Sequence, residues 1–273
     1  MREAPVGHQC VECVREGQKS VRQARTVFGA RVTTNATPVV TYVLIALNVL
    51  LYAGELARPG LVDLLGNLGQ GLVGPDGTHY LYDGGPLPGY EAVGVAHGEW
   101  YRLITSAFLH LLPTQGYFGL AHIALNLYCL WTLGRVAEEQ LGKSRFLALY
   151  LLSALGGSVL VYLLAPDRST IGASGAIFGL AAAHYLLTRR LHHDPLGGGR
   201  LIAFLLIWMV ISAGITSWQG HLGGLLAGGA VGLALAFAPR RRRTAVQAAG
   251  AAAVLLVLVA LVVLRTAQLT GGG

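Results

Sequence analysis

Long apolar runs broken by a few polar residues dominate the chain. Crossing a bilayer takes about 20 predominantly apolar residues. Runs of this order predict helices over 38–56, 117–133, 146–165, 173–188, 201–216, 220–238 and 245–264. Pro38 suits the first turn of the first helix, where the missing N–H costs nothing. Residues 57–116 read instead as a long loop, with turns at Gly74-Pro75-Asp76-Gly77 and Asp83-Gly84-Gly85-Pro86. Within it, 103–112 is apolar but too short to span. An interfacial or re-entrant element is expected there, with Trp100 and Tyr101 at headgroup depth. The pattern predicts an all-α polytopic membrane protein.

Composition agrees. The 273 residues are 53% hydrophobic and 12% charged, against about 25% charged in soluble domains. The net charge of +7 suggests no nucleic-acid partner, because the basic residues flank apolar runs and build no recognition element. They report topology instead. The tail carries Arg2, Arg15, Lys19, Arg22, Arg25 and Arg31, and alternate links carry Arg135, Lys143 and Arg145, then Arg189, Arg190 and Arg200, then Arg240 to Arg243. Basic residues favour the cytoplasmic side, so a cytoplasmic N-terminus and an external C-terminus are expected. The first apolar run is too long for a signal-peptide core and is expected to be retained.

This topology brings four polar side chains to one depth. Ser174 begins the fourth span on the outer side, and His221 begins the sixth. His122 and Asn126 lie one turn apart on one face of the second. Taken singly, each has a plain reading: serine among small residues packs helices, and histidine or asparagine makes an interhelical polar contact. Taken together they are a candidate site. A serine hydroxyl needs a base to become a nucleophile, and His221 is placed to serve. Gly220, Gly223, Gly224 and Gly228 would let its helix press close to the one bearing Ser174. No acidic residue lies at this depth, so a Ser/His dyad is expected rather than a triad. Asn126, His122 and the backbone N–H of Ser174 are candidate donors to an oxyanion. No cofactor or metal is implied by this chemistry.

Two other classes of function compete with this reading. A non-catalytic membrane-protein binder or quality-control factor would keep the fold without the chemistry. A transporter would show a polar pathway into the other half and paired repeats, whereas the polar layer here lies on one side.

The same residues resemble the motifs of the rhomboid family of intramembrane serine proteases. The nucleophile motif is Gly172-Ala173-Ser174-Gly175, the histidine motif is His221, Gly224 and Gly228, and the oxyanion pair is His122 and Asn126. The family's Trp-Arg signature is matched either by Trp100 and Arg102, split by Tyr101, or by Tyr101-Arg102 directly. Glu138 matches a structural glutamate, and Phe178 stands where tyrosine is common. The resemblance implies a six-helix core over 38–238, including an external first loop over 57–116. A basic link, a seventh transmembrane helix and a short tail follow over 239–273. It implies slow hydrolysis of single-pass membrane proteins near the outer leaflet of a bacterial cell membrane. Residues 111–119 lengthen the loop before the second span relative to the family.

The basic tail, 1–37, contains Gly7-His8-Gln9-Cys10-Val11-Glu12-Cys13-Val14, similar to the end of a small zinc-binding module ahead of some actinobacterial rhomboids. Zinc takes about four ligands, and only His8, Cys10 and Cys13 are visible. Zinc is therefore expected only on a longer N-terminal form.

Overall fold

The computed structural model describes residues 2–4, 7–20, 24–32, 37–80, 87–115, 118–194, 196–214 and 216–271. The turn expected at 83–86 and the expected first residue of the second span, Tyr117, lie outside these.

The tail is more structured than its polarity suggests. Strands β1 (Arg2–Ala4) and β2 (Gly7–Gln9) pair antiparallel and lead into helix α1 (Val11–Ser20). Cys10 and Cys13 are exposed thiols, and no group of three metal-ligating side chains occurs among the described residues.

Helix α2 (Val39–Ala57) fills the first apolar run. The long loop follows. It contains α3 (Leu61–Leu65), an antiparallel sheet of β3 (Gly71–Val73), β4 (His79–Tyr80) and β5 (Glu91–Val93), and the short α4 (Arg102–Thr105). The remaining helices are α5 (Phe118–Leu141), α6 (Lys143–Leu164), α7 (Ser174–Leu191), α8 (Gly198–Ile211), α9 (Trp218–Phe237) and α10 (Arg243–Thr270). Seven long helices thus match the seven apolar runs, and the protein is an all-α polytopic membrane protein with a seventh helix after the six-helix core. Four stretches among the described residues, α2, α6, α9 and Arg240–Thr270, are long and apolar enough to cross a membrane by length and composition. Helix α5 carries His122, Asn126 and Arg135, and α7 carries His184, Arg189 and Arg190, which lower their apolarity, and α8 is shorter. Unpartnered faces are apolar, as at Leu50, Val210 and Leu256.

Several boundaries differ from expectation, and for α5 and α8 the physical reason is visible. Helix α5 continues past 133 to Leu141 because Glu138 is buried and satisfied. Its carboxylate accepts from Val40 N, Thr41 N and Thr41 Oγ1 at 3.0, 2.8 and 2.9 Å. An anion at the orphan N–H groups of α2 offsets the positive end of that helix. Helix α8 starts and stops earlier than 201–216, since Thr216 N and Oγ1 turn back onto Ser212 O at 2.7 and 3.1 Å.

Glycines set the separation of the inner helices. A Cβ at Gly224 would overlap the Gly175 carbonyl, and one at Gly228 would overlap Gly179. Helices α7 and α9 are therefore in backbone contact, the arrangement small residues allow in membranes. Helix α10 lies outside this core. Its Leu258 and Val262 pack with Val95, Ala96 and Leu103 of the long loop, and Tyr162 and Thr266 hydroxyls meet at 2.8 Å.

Candidate active site

Ser174 is the first residue of α7, held there by the segment that precedes it. Asn67 and Thr170 exchange both backbone hydrogen bonds, at 2.9 and 3.0 Å, and Gly172 N donates to Ser106 O at 2.9 Å. Gly172 has φ +128, a conformation glycine adopts without strain. That turn delivers Ser174 to the mouth of the bundle. His221 comes from the first turn of α9, whose end is capped by Ser217 Oγ accepting from Gly220 N at 3.2 Å. The close approach of α7 and α9 brings Ser174 Oγ to 3.0 Å from His221 Nε2, within the reach a general base needs.

The imidazole of His221 is sandwiched on one face. Phe178, one turn below Ser174, lies parallel to it, with centroids 4.3 Å apart and planes at 3°. His221 Nδ1 is buried and hydrogen-bonds to no described residue. For Nε2 to accept the serine proton, Nδ1 must carry the ring hydrogen. Among the described residues no carboxylate orients it.

His122 presents the complementary arrangement. Its Nδ1 accepts from Leu111 N at 3.2 Å, so in the neutral ring the hydrogen sits on Nε2. A Cβ on Gly172 would lie 2.9 Å from that Nε2 and 3.7 Å from Ser174 Oγ. A donor and the hydroxyl thus share one corner, and only a glycine fits between them. Asn126 Nδ2 donates to His122 O at 2.7 Å within its own helix. One of its two N–H bonds is used, and the other is free to point elsewhere.

A cavity of about 300 Å³ opens onto all four residues. Its far wall is α8, through Phe204, Leu205 and Trp208. Trp208 reads from sequence as an interface anchor, but here it lines the site. The wall is apolar, suited to a hydrophobic chain with a few polar groups fixing orientation.

The remaining expected residues support the frame. Arg102 is 1% exposed. It pairs with Glu99 at 2.7 Å and donates to Asp63 O and Gly66 O at 2.6 and 3.1 Å. Trp100 is exposed and does not line the cavity. Gly175 borders Gly157 and the Gly220 carbonyl, and Gly224 and Gly228 hold α9 against α7. Sequence reading missed Glu55. It stands at the end of a span and reads as interfacial, yet it is fully buried and accepts the backbone N–H of His110. A lone acid inside an apolar run is the signal that pointed to it.

The chain matches the Rhomboid domain over residues 97–238. It is 32% identical over 203 residues to the rhomboid protease GluP of Bacillus subtilis (strain 168), covering 73% of this chain and 35% of that relative. It is 36% identical over 148 residues to the candidate rhomboid protease YdcA of the same strain, covering 52% and 70%. RHOMBOID-like protein 6, mitochondrial, of Arabidopsis thaliana is 32% identical over 153 residues, covering 54% and 47%. The chain thus spans about a third of GluP's length and about half of the plant protein's.

Proposed function

Because the chain belongs to the rhomboid family, we propose that it is an intramembrane serine endopeptidase acting on single-pass membrane proteins near the outer leaflet. The observation that carries this reading is the 3.0 Å separation of Ser174 Oγ and His221 Nε2. In the first step the serine oxygen attacks the scissile carbonyl carbon as His221 Nε2 takes the hydroxyl proton. The tetrahedral intermediate then collapses, and the leaving amine receives that proton, leaving an acyl-serine. Water, deprotonated by the same imidazole, attacks the ester, and the returning proton restores Ser174 as the carboxylate product departs.

Negative charge on the carbonyl oxygen would be met by His122 Nε2–H, the free N–H of Asn126 and the backbone N–H of Ser174 at the positive end of α7. Removing one such donor costs roughly 3–4 kcal/mol in known hydrolases. Phe178 shields one face of the imidazole from water. Without a carboxylate partner for Nδ1, the imidazolium formed during attack lacks the stabilisation a triad supplies, which fits slow turnover. In the proposed orientation the basic links face the cytoplasm, so the site opens toward the outside of a bacterial membrane.

The test is cleavage of a reconstituted single-pass substrate by wild type, Ser174→Ala and His221→Ala. Only wild type should cleave, and cleavage by the serine variant would contradict the reading. Client association without cleavage by wild type would favour a non-catalytic binder.

A further inference from the structure

The end of the bundle opposite the catalytic pair gathers positive charge without matching negative charge. The tail loop 24–32 closes on itself through Val32 N to Ala24 O and Thr26 N to Ala30 O, at 2.9 and 2.8 Å. It buries Phe28. Gln247 of α10 fastens this loop, donating to Phe28 O and Leu235 O at 3.2 and 3.0 Å. The same side chain accepts from Arg145 Nε at 2.6 Å. Arg145 Nη2 is left pointing at Gly29. A Cβ there would lie 3.3 Å from it and 3.4 Å from Arg243 Nη1, and Arg25 Nη1 donates to Gly29 O at 3.2 Å. Three guanidinium groups therefore converge on one glycine, and none of them is ion-paired among the described residues.

Beside this point lies a hollow of about 1020 Å³, bordered also by Arg31, Arg135 and Lys143. Its carboxylates are Glu138, already occupied by the N-terminus of α2, and the exposed Glu139. Val39 and Tyr42 form an apolar wall, and both are also exposed on the outer face of α2. Arg135 stacks over Trp131, with its guanidinium carbon 4.1 Å from the ring centroid, an aromatic–cation pair suited to headgroup depth.

We infer that this hollow binds the phosphate of an anionic membrane phospholipid, with the acyl chains lying along α2. Converging guanidinium groups favour a phosphodiester, which they engage with paired N–H bonds. Basic pockets between transmembrane helices are suited to anionic lipid headgroups. The apolar wall and the position at the ends of α2 and α5 favour a lipid over a soluble phosphate ester. Because the headgroup would touch α5, α6 and the tail loop that Gln247 and Arg243 of α10 hold, it would join the seventh helix to the core.

Native mass spectrometry of the full chain, titrated separately with phosphatidylglycerol, phosphatidylcholine and soluble glycerophosphoglycerol, tests this. Wild type should retain one phosphatidylglycerol at concentrations where neither of the others is retained. Removing two of the charges should weaken that binding about tenfold or more. Two double variants keep the result independent of loop docking: Arg25→Gln with Arg31→Gln on the loop, and Arg135→Gln with Lys143→Gln on the helices. Arg189→Gln with Arg190→Gln, on a different link, should bind as wild type does. Unchanged affinity in both hollow variants, equal retention of phosphatidylcholine, or equal affinity for the soluble headgroup would overturn the inference.

Discussion

Both carboxylate oxygens of Glu55 accept the backbone N–H of His110, at 3.1 and 3.2 Å. The next residue, Leu111, donates its own N–H to His122 Nδ1. A buried acid on the first span thereby holds the strand of loop that sets which nitrogen of His122 carries the hydrogen. Glu55→Ala leaves the His110 N–H unpaired, a loss of about 1–3 kcal/mol, and frees the loop that orients His122. We predict a lower thermal midpoint in detergent and slower substrate cleavage. Glu55→Gln, which keeps one acceptor, should recover part of both. Wild-type cleavage by the alanine variant would show that His122 is held by other means.

Gly172 occupies a backbone region that side chains rarely adopt, and a methyl group there would press on His122 Nε2 at 2.9 Å. Gly172→Ala should therefore damage the donor side of the site more than the base side. If His122 is an oxyanion donor, kcat for cleavage should fall on the order of a hundredfold, with KM little changed. Steady-state kinetics normalised to the active fraction, counted by covalent titration of Ser174, distinguish this from a folding defect, which would lower that fraction and leave kcat per active site unchanged.

The long loop is anchored by Glu99. Burial pushes its carboxyl up, but hydrogen bonds from Arg102 and Gly94 N–H, with the guanidinium charge, outweigh that and hold it below the ordinary carboxylate range. A carboxyl whose folded pKa is lowered contributes stability above its unfolded value, and that contribution is lost as pH falls through the folded value. The unfolded value is about 4.3. Between about pH 5 and about pH 3, wild type should therefore lose more thermal stability than Glu99→Gln, which should begin lower and vary less. Parallel curves would mean that the Arg102–Glu99 pair adds nothing to the fold.

Much of this arrangement could be read from residue order. The seven helices announce themselves as apolar runs because a bilayer demands length and hydrophobicity from each segment. Ser174, His122, Asn126 and His221 stand out because polar groups are costly in such runs. The glycines of α9 signal close packing, and the structure supplies the partner, the backbone of α7 at Gly175 and Gly179. Other features depend on contacts distant in sequence. Glu138 reads as lying past the end of a span until it is seen to cap α2 by accepting from Val40 and Thr41. Trp208 reads as an interface anchor until α8 is seen to close the cavity. The three short strands of the long loop, two or three residues each, are hidden among its turns.

In the proposed mechanism, Ser174 carries a hydroxyl activated by His221. The most direct measurement is covalent labelling by a fluorophosphonate probe, compared among wild type, Ser174→Ala and His221→Ala, with the modified residue located by peptide mass spectrometry. Wild type should be labelled at Ser174, the serine variant not at all, and the histidine variant far more slowly. Equal labelling of wild type and Ser174→Ala, or labelling unaffected by His221→Ala, would contradict it.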